Sequence, residues 1–270
     1  MLPFKKYPRT QHIEGSRLQE GDEDLVAVPF EKIKGLPLVV EEKIDGSNCA
    51  ISFNGNGELL LQSRGHYLIG GARENHFDLF KQWAATHQQV LYEVLGCRYV
   101  VYGEWVYAKH TIFYDALPHY FLEFDIFDRV AECYLDTPSR HKLLVTLPLV
   151  SVPVLQTGAF HSLQELVALV GHSRYIGDDH FLELEKYCKS AGLDIDTAYR
   201  ETDRSPTMEG LYVKHEENGQ VIGRYKYVRA AFLQTVFSSE SHWITRPIIP
   251  NRLARNLDEL FLPKLPENQS

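Results

Sequence analysis

Apolar positions change their period several times along the chain, and each change marks an element. Leu36–Glu42 is a nearly unbroken apolar run that ends in acidic residues and leads into Lys43, the pattern of a buried strand. Asn48–Phe53 and Glu58–Ser63 read as two short strands, and Asn54-Gly55-Asn56-Gly57 between them has the residues that a hairpin turn requires. From Arg73 to His87 the spacing is helical, with Phe77, Phe80, Trp83 and Ala84 on one face. Val100–Tyr107 and Tyr120–Asp128 are aromatic-rich and read as strands. Between Thr137 and Gly192 the pattern turns helical. Thr137-Pro138 starts one helix, Ser162–Val170 forms a second, and Asp178–Ala191 a third with acidic residues near its start. Strands return at Leu211–Lys214 and Gln220–Val228, joined by a turn that contains Asn218-Gly219.

Strands interrupted by a helical block predict an α+β domain of antiparallel sheets. The domain is expected over residues 1–237, with a helical insert at about 137–192. Residues 238–270, with the Pro-containing Trp243–Pro250 and the apolar Leu257–Leu262, are expected to form a short tail and no separate domain. The insert could be a packing element or could influence substrate choice.

Composition narrows the partners. A formal net charge of −8 excludes a uniformly basic surface, so any nucleic acid must be held in a local groove. The chain carries 15 tyrosines and 14 phenylalanines, enough for both a core and stacking faces. Cys49, Cys97, Cys133 and Cys188 are widely spaced with no CxxC pairing, which predicts free thiols in a reducing compartment. No apolar run suits a membrane span, and Lys5, Lys6 and Arg9 have no apolar stretch behind them, so the expectation is a cytoplasmic protein.

Candidate chemistry changes the picture most. Lys43-Ile44-Asp45-Gly46 leaves a strand, and by itself it is as well explained by a strand-to-turn exit with Lys43 in solvent. Other short motifs follow it in order: Ser63-Arg64-Gly65, Tyr102-Gly103-Glu104-Trp105, Phe121-Leu122-Glu123-Phe124-Asp125, Met208-Glu209-Gly210-Leu211-Tyr212-Val213-Lys214 and Gly223-Arg224-Tyr225-Lys226. The ordered set, from Lys43 to Val228, resembles the covalent nucleotidyltransferase superfamily of DNA ligases, RNA ligases and capping enzymes. It looks most like RNA ligases of the branch that seals breaks in duplex RNA.

The resemblance implies a nucleotidyltransferase domain of antiparallel sheets flanked by helices, with the nucleotide pocket between the sheets and no OB domain after Val228. It makes Lys43 the nucleophile that carries AMP from ATP, with Mg2+ (or Mn2+) at Glu209, Glu104 on the nucleotide ribose or on that metal, and the α-phosphate at Lys214 and Lys226. Glu41, Glu42, Asp45, Gly46, Arg64, Phe124 and Arg224 are expected around the nucleotide, with Arg64 reaching the adenylate or the substrate ends and Phe124 stacking on adenine. At Arg224 the family usually has lysine, and arginine keeps the charge in a different geometry. Arg229 could add a phosphate contact. Tyr107, Lys109, His110 and Tyr114 interleave rings and cations, which suits a nucleic-acid path. His110 could be a general base or structural, and His242-Trp243 with Arg246-Pro247 could cap the domain or touch substrate. The implied substrate is RNA with 5′-phosphate and 3′-hydroxyl ends, with other RNA-repair proteins as conceivable partners. A DNA ligase, a capping-type guanylyltransferase and a catalytically inactive RNA-end-binding module are the alternatives.

Overall fold

The computed structural model describes residues 4–17, 26–238 and 246–262, and its elements are numbered along the chain. One sheet contains β1 (Gln11–His12), β11 (Gln220–Val228), β10 (Gly210–Glu217), β2 (Leu38–Lys43) and β9 (Val154–Gly158), in that spatial order. The other contains β4 (Leu59–Ser63), β3 (Ser47–Phe53), β5 (Tyr99–Trp105), β6 (Phe121–Asp128) and β7 (Cys133–Tyr134), with β8 (Val150–Ser151) also paired to β6. The central pairings are antiparallel, and β1–β11 and β6–β8 are parallel. The architecture is the expected α+β arrangement of antiparallel sheets flanked by helices.

Alternation decides what each strand presents. Along β2, Leu38 and Val40 join Leu211, Val213 and Phe160 in a core on the outer face of the first sheet. The intervening Glu41 and Lys43 pair with Tyr212 and Gly210 and belong to the opposite face, toward the second sheet. Every residue of β6 is buried, because the second sheet is covered on both faces. Its outer cover is α1 (Asp78–Thr86), whose Phe80 and Trp83 are fully buried. The Phe80 ring stacks on Phe121 with centroids 5.4 Å apart. The predicted helical face of Phe77, Phe80, Trp83 and Ala84 is therefore the buried one, although its first turn, Ala72–Phe77, is a 3-10 helix.

The helical block is not continuous. It contains α3 (Thr137–Leu144), α4 (Leu163–Val167) and α5 (His180–Ala191), but β8 and β9 interrupt it. Pro148 and Pro153 bracket a β-branched stretch there, and β9 gains backbone partners by extending the first sheet beside β2. The sequence pattern also missed α2 (Gln88–Leu95), α6 (Ile195–Arg200) and α7 (Ala230–Ser238). Residues 246–262 return to the domain. Asn251 ties them down, donating from Nδ2 to the Val106 carbonyl at 2.7 Å and accepting at Oδ1 from the Tyr114 N–H at 2.9 Å. The Trp83 indole N–H donates to the Leu260 carbonyl at 3.1 Å. His242 and Trp243 lie outside the described residues. Among the described residues, no helix is long and apolar enough to cross a membrane.

Candidate active site

Lys43 is the last residue of β2, and Gly210 faces it in the register of β10. A Cβ at Gly210 would sit 1.8 Å from the Tyr227 carbonyl oxygen, so only glycine lets β10 and β11 close at this point. The preceding residue, Glu209, is thereby brought beside Lys43, whose Nζ donates to Glu209 Oε2 at 2.8 Å. Glu104 comes from the second sheet, opposite Asn48 in the β3–β5 register. Gly46 allows this approach, because a Cβ there would meet Glu104 Cγ at 2.9 Å and Val106 Cγ1 at 2.7 Å. Gly46→Ala is expected to destabilise the fold by about 1–3 kcal/mol through overpacking. It should also displace Glu104, and a thermal melt paired with an activity assay of the same variant checks both effects.

The electrostatics follow from three carboxylates around one ammonium. Burial pulls the Lys43 pKa down, but Glu209, Glu104 and Asp45 outweigh it and hold the pKa above its ordinary value. Burial raises Glu104 to about 8 against the partial relief from Lys43. Glu209 is likewise pushed up to about 7 by burial. Asp45 is raised by burial, although its Oδ2 accepts from the backbone N–H groups of Thr111 and Ile112 at 2.8 Å each. Those bonds make Asp45 the anchor of the loop after β5.

A cleft of about 1120 Å³ opens between the sheets over this cluster. Its walls include Glu41, Glu42, Lys43, Asp45, Gly46, Arg64, Glu104, Phe124, Glu209 and Lys226, so ten of the expected residues converge on one cavity. Phe124 shares its part of the wall with Tyr7 and Tyr212, whose ring centroids lie 5.2 and 5.9 Å from its own. His110 also lines the cleft, its Nε2 3.2 Å from the Ser47 hydroxyl. The volume and the mix of one aromatic wall with convergent polar groups suit a nucleotide.

The remaining expectations are placed differently. Lys214 is fully buried, and its ammonium is held by Glu41 Oε2 at 2.8 Å and by the Phe124 carbonyl, behind the cleft wall. Glu41, at the wall, also receives Arg140 Nη2 at 2.5 Å, and Arg140 Nη1 reaches Glu123 at 2.7 Å. This four-residue ion network links the two sheets, and neither of its cations is free to meet a phosphate. Arg224 is likewise not among the cleft-lining residues: its Nε donates to Asp125 Oδ2 at 2.9 Å, and its guanidinium lies over Tyr134. Arg229 is bound to Asp203 and to the carbonyls of Met208 and Thr207. Lys109 is buried and donates to the carbonyls of His110 and Glu201, and burial lowers its pKa to about 8. Tyr114 is buried and accepts from the Asp45 N–H at 2.9 Å. The Lys109–Tyr114 stretch is thus largely a support for the site. Arg246 joins that support through the His110 carbonyl at 3.2 Å and Glu201 at 3.2 Å.

Sequence reasoning missed Tyr7, Tyr212 and Ser173. Tyr7 donates to Asp125 at 2.7 Å, and Ser173 donates to Glu42 Oε1 at 2.5 Å, where burial raises Glu42 to about 7. Tyr212 could have been read from alternation within Leu211–Lys214. Tyr7 and Ser173 carry no local signal, since only the tertiary fold brings them in.

Among the described residues no group of three or more His, Cys, Asp or Glu could hold a metal by itself. Glu104 and Glu209 still fit magnesium, which takes one or two carboxylates and completes its shell with water and substrate phosphates.

Comparisons with known proteins agree with this fold. A family model described as RNA ligase matches residues 36–228. No curated protein matches the chain. Among solved structures, an RNA ligase of Naegleria gruberi, as an apo lysine variant, superposes with a TM-score of 0.50 at 18% identity, covering 77% of this chain and 54% of that one. A second variant of that ligase, with ATP and Mn, gives 0.51 at 17% identity over 77% and 53% of the two chains. A glutamate variant with AMP and Mn gives 0.53 at 16% identity over 87% and 59%. At these identities the likeness concerns the fold, and this chain spans a little over half the length of those structures.

Proposed function

This chain belongs to the RNA ligase family, and on that premise we propose that it is an ATP-dependent RNA ligase working through an adenylate on Lys43. The single observation that carries the reading is the Lys43–Glu209 contact of 2.8 Å at the floor of the intersheet cleft, with Glu104 beside it.

In the first step Lys43 Nζ, once deprotonated, attacks the α-phosphorus of ATP. A P–N bond forms, the P–O bond to the β-phosphate breaks, and pyrophosphate leaves. The free site favours the ammonium, so adenylation requires the local negative charge to be offset. Mg2+ or Mn2+ held through Glu104 and Glu209 would supply that offset and neutralise charge on the leaving pyrophosphate. Lys226, on the cleft wall, stabilises the α-phosphate, and Arg64 the remaining phosphates. In the second step a 5′-phosphate oxygen attacks the same phosphorus, the P–N bond breaks and Lys43 regains its proton. In the third a 3′-hydroxyl attacks the activated 5′-phosphorus, and AMP leaves as the phosphodiester forms. The protein's part in these two steps is alignment of the ends. Joining such ends suits RNA repair, and four free cysteines suit a reducing, cytoplasmic setting.

Phe124 forms the adenine face in this reading. Phe124→Ala is expected to raise the KM for ATP about tenfold while changing the maximal adenylation rate less, since stacking acts on the bound ground state and transition state alike. Initial rates across an ATP series separate the two parameters.

The reading is tested by incubating the protein with magnesium and each of four α-labelled nucleoside triphosphates. Label from ATP alone that chases into a sealed RNA nick is the expected result. Label from GTP would mean capping chemistry, sealing of nicked DNA in preference to RNA would mean a DNA ligase, and no label would mean a binding module.

A further inference from the structure

Arg64 owes its position to a turn, and the turn has an anchor that the chemistry above does not use. Ser63 closes β4, and its backbone N–H donates to the His66 carbonyl at 2.9 Å, which makes Arg64-Gly65 the apex of a tight reversal. The chain then runs back alongside β4, with the Leu68 N–H donating to the Leu61 carbonyl at 2.8 Å. Arg64 at the apex is exposed on its outer side and lines the cleft mouth. An apex arginine with this freedom is a poor phosphate ligand unless something fixes its backbone, because ordering a long side chain on a moving loop costs conformational entropy.

The fixing group is Glu74. Its carboxylate is buried in the cleft wall and takes three partners from three parts of the chain. Lys81 Nζ, on α1, approaches Oε2 at 2.8 Å and also lies 3.5 Å from Asp78. The Gly70 N–H donates to Oε2 at 2.9 Å. His66 Nε2 lies 3.5 Å from Oε1, and the other ring nitrogen of His66 lies 3.0 Å from the Ser63 hydroxyl. A continuous polar chain therefore runs from α1 through Lys81, Glu74 and His66 to Ser63, the residue before Arg64. Gly70 and Gly71 make the path possible, since their φ values of 109° and 125° belong to the region that side-chain-bearing residues avoid. They let the chain reverse so that Glu74 comes back under His66.

Resting on the ligase reading only for the identity of the nucleotide, we propose that Glu74 is a positioning residue. With His66 and Lys81 it clamps the Ser63–His66 turn to α1, so that Arg64 is held against the phosphates of the bound nucleotide. Glu74 does not touch the nucleotide's reacting atoms and acts through Arg64.

The test is a double-mutant cycle on binding. The probe is the α,β-methylene analogue of ATP with magnesium, in which the bond that adenylation breaks is replaced by carbon, so affinity is read without reaction. Arg64→Ala is expected to weaken the Kd about 30-fold and Glu74→Gln about tenfold, in the range of a charge-assisted hydrogen bond and of its misplacement. The double variant is expected to bind no worse than Arg64→Ala alone. Multiplying losses in the double variant, or a Glu74→Gln protein with wild-type Kd, would overturn the proposal. If Glu74→Gln does not fold, His66→Ala, at an exposed residue, breaks the same chain and must give the same non-additivity with Arg64→Ala. A wild-type protein that fails to bind the analogue also overturns it. Binding of the analogue without adenylation by ATP itself leaves the clamp standing and removes the ligase reading, so the two fail separately.

Discussion

Lys43→Ala is expected to leave the protein folded, with its melting temperature changed by no more than about 3 °C, and to eliminate covalent nucleotide labelling altogether. The loss is absolute because, among the described residues, no other lysine takes the place of Lys43 at the end of β2 in the cleft. Lys214 is buried against Glu41, Lys109 against two carbonyls, and Lys226 on β11 faces His12 and Tyr212 in the sheet register rather than the end of β2. Stability is spared because Lys43 is a cation among three carboxylates whose burial already opposes ionisation. Removing the ammonium lets Glu209 and Glu104 hold their protons, which offsets the lost ion pair. Sealing of an RNA whose 5′ end is already adenylated should survive at a measurable rate, because that step does not use the lysine as nucleophile. Parallel assays with ATP plus 5′-phosphate RNA and with the adenylated RNA separate the two.

Glu104→Gln is expected to have the second largest effect, and in opposite directions on activity and stability. Adenylation should fall by about 100-fold or more, the cost of removing one group that stabilises charge in the transferring state. The free protein should nevertheless become more stable above neutral pH. The folded-state pKa of Glu104 is about 8 against an ordinary value of 4.5, so folding favours its protonated form. Its contribution is therefore complete below pH 4.5 and is lost as the pH rises through 8. Glutamine keeps the neutral shape at every pH, so the variant should gain on the order of 5 °C in melting temperature at high pH and nothing at low pH. The same signs govern activity in the wild type. At limiting magnesium, adenylation should rise across the window from about 7 to about 8 in which Glu209 and Glu104 ionise. Deprotonation of Lys43 acts in the same direction. Melts and initial rates over a pH series check both.

Much of the site could be read from the chain because its parts sit at strand ends. Lys43 closes a buried strand, Glu104 lies within an aromatic one, and Glu209-Gly210 opens another, so short patterns carry them. Two of the expected cations stand away from the cleft for a physical reason. Lys214 and Arg224 occupy the inner face of the first sheet as alternation requires, but a strand pattern does not reveal which inward carboxylate will claim a cation. Glu41 and Asp125 claim these two, and the decisive partner Arg140 arrives from α3, far along the chain. Tyr7 escaped notice for a similar reason, since a lone tyrosine in a loop becomes a cleft wall only after β1 pairs with β11. The strands that interrupt the helical block leave little trace in the sequence because β8 and β9 are short, and their strand character comes from pairing with β6 and β2 rather than from local periodicity. By contrast the hairpin of β3 and β4 was legible down to its turn, where Gly57 has a φ of 77° and the Asn54 side chain accepts from the Asn56 N–H at 2.9 Å.

The central claim is that Lys43 carries the nucleotide, and locating the adenylate tests it most directly. The protein is incubated with ATP and magnesium, digested, and its peptides are sequenced by tandem mass spectrometry. The account predicts one AMP adduct, on Lys43 Nζ, formed with ATP and reversed by added pyrophosphate. An AMP adduct on Lys226 or another residue, or full sealing activity with Lys43 unmodified throughout turnover, would contradict it.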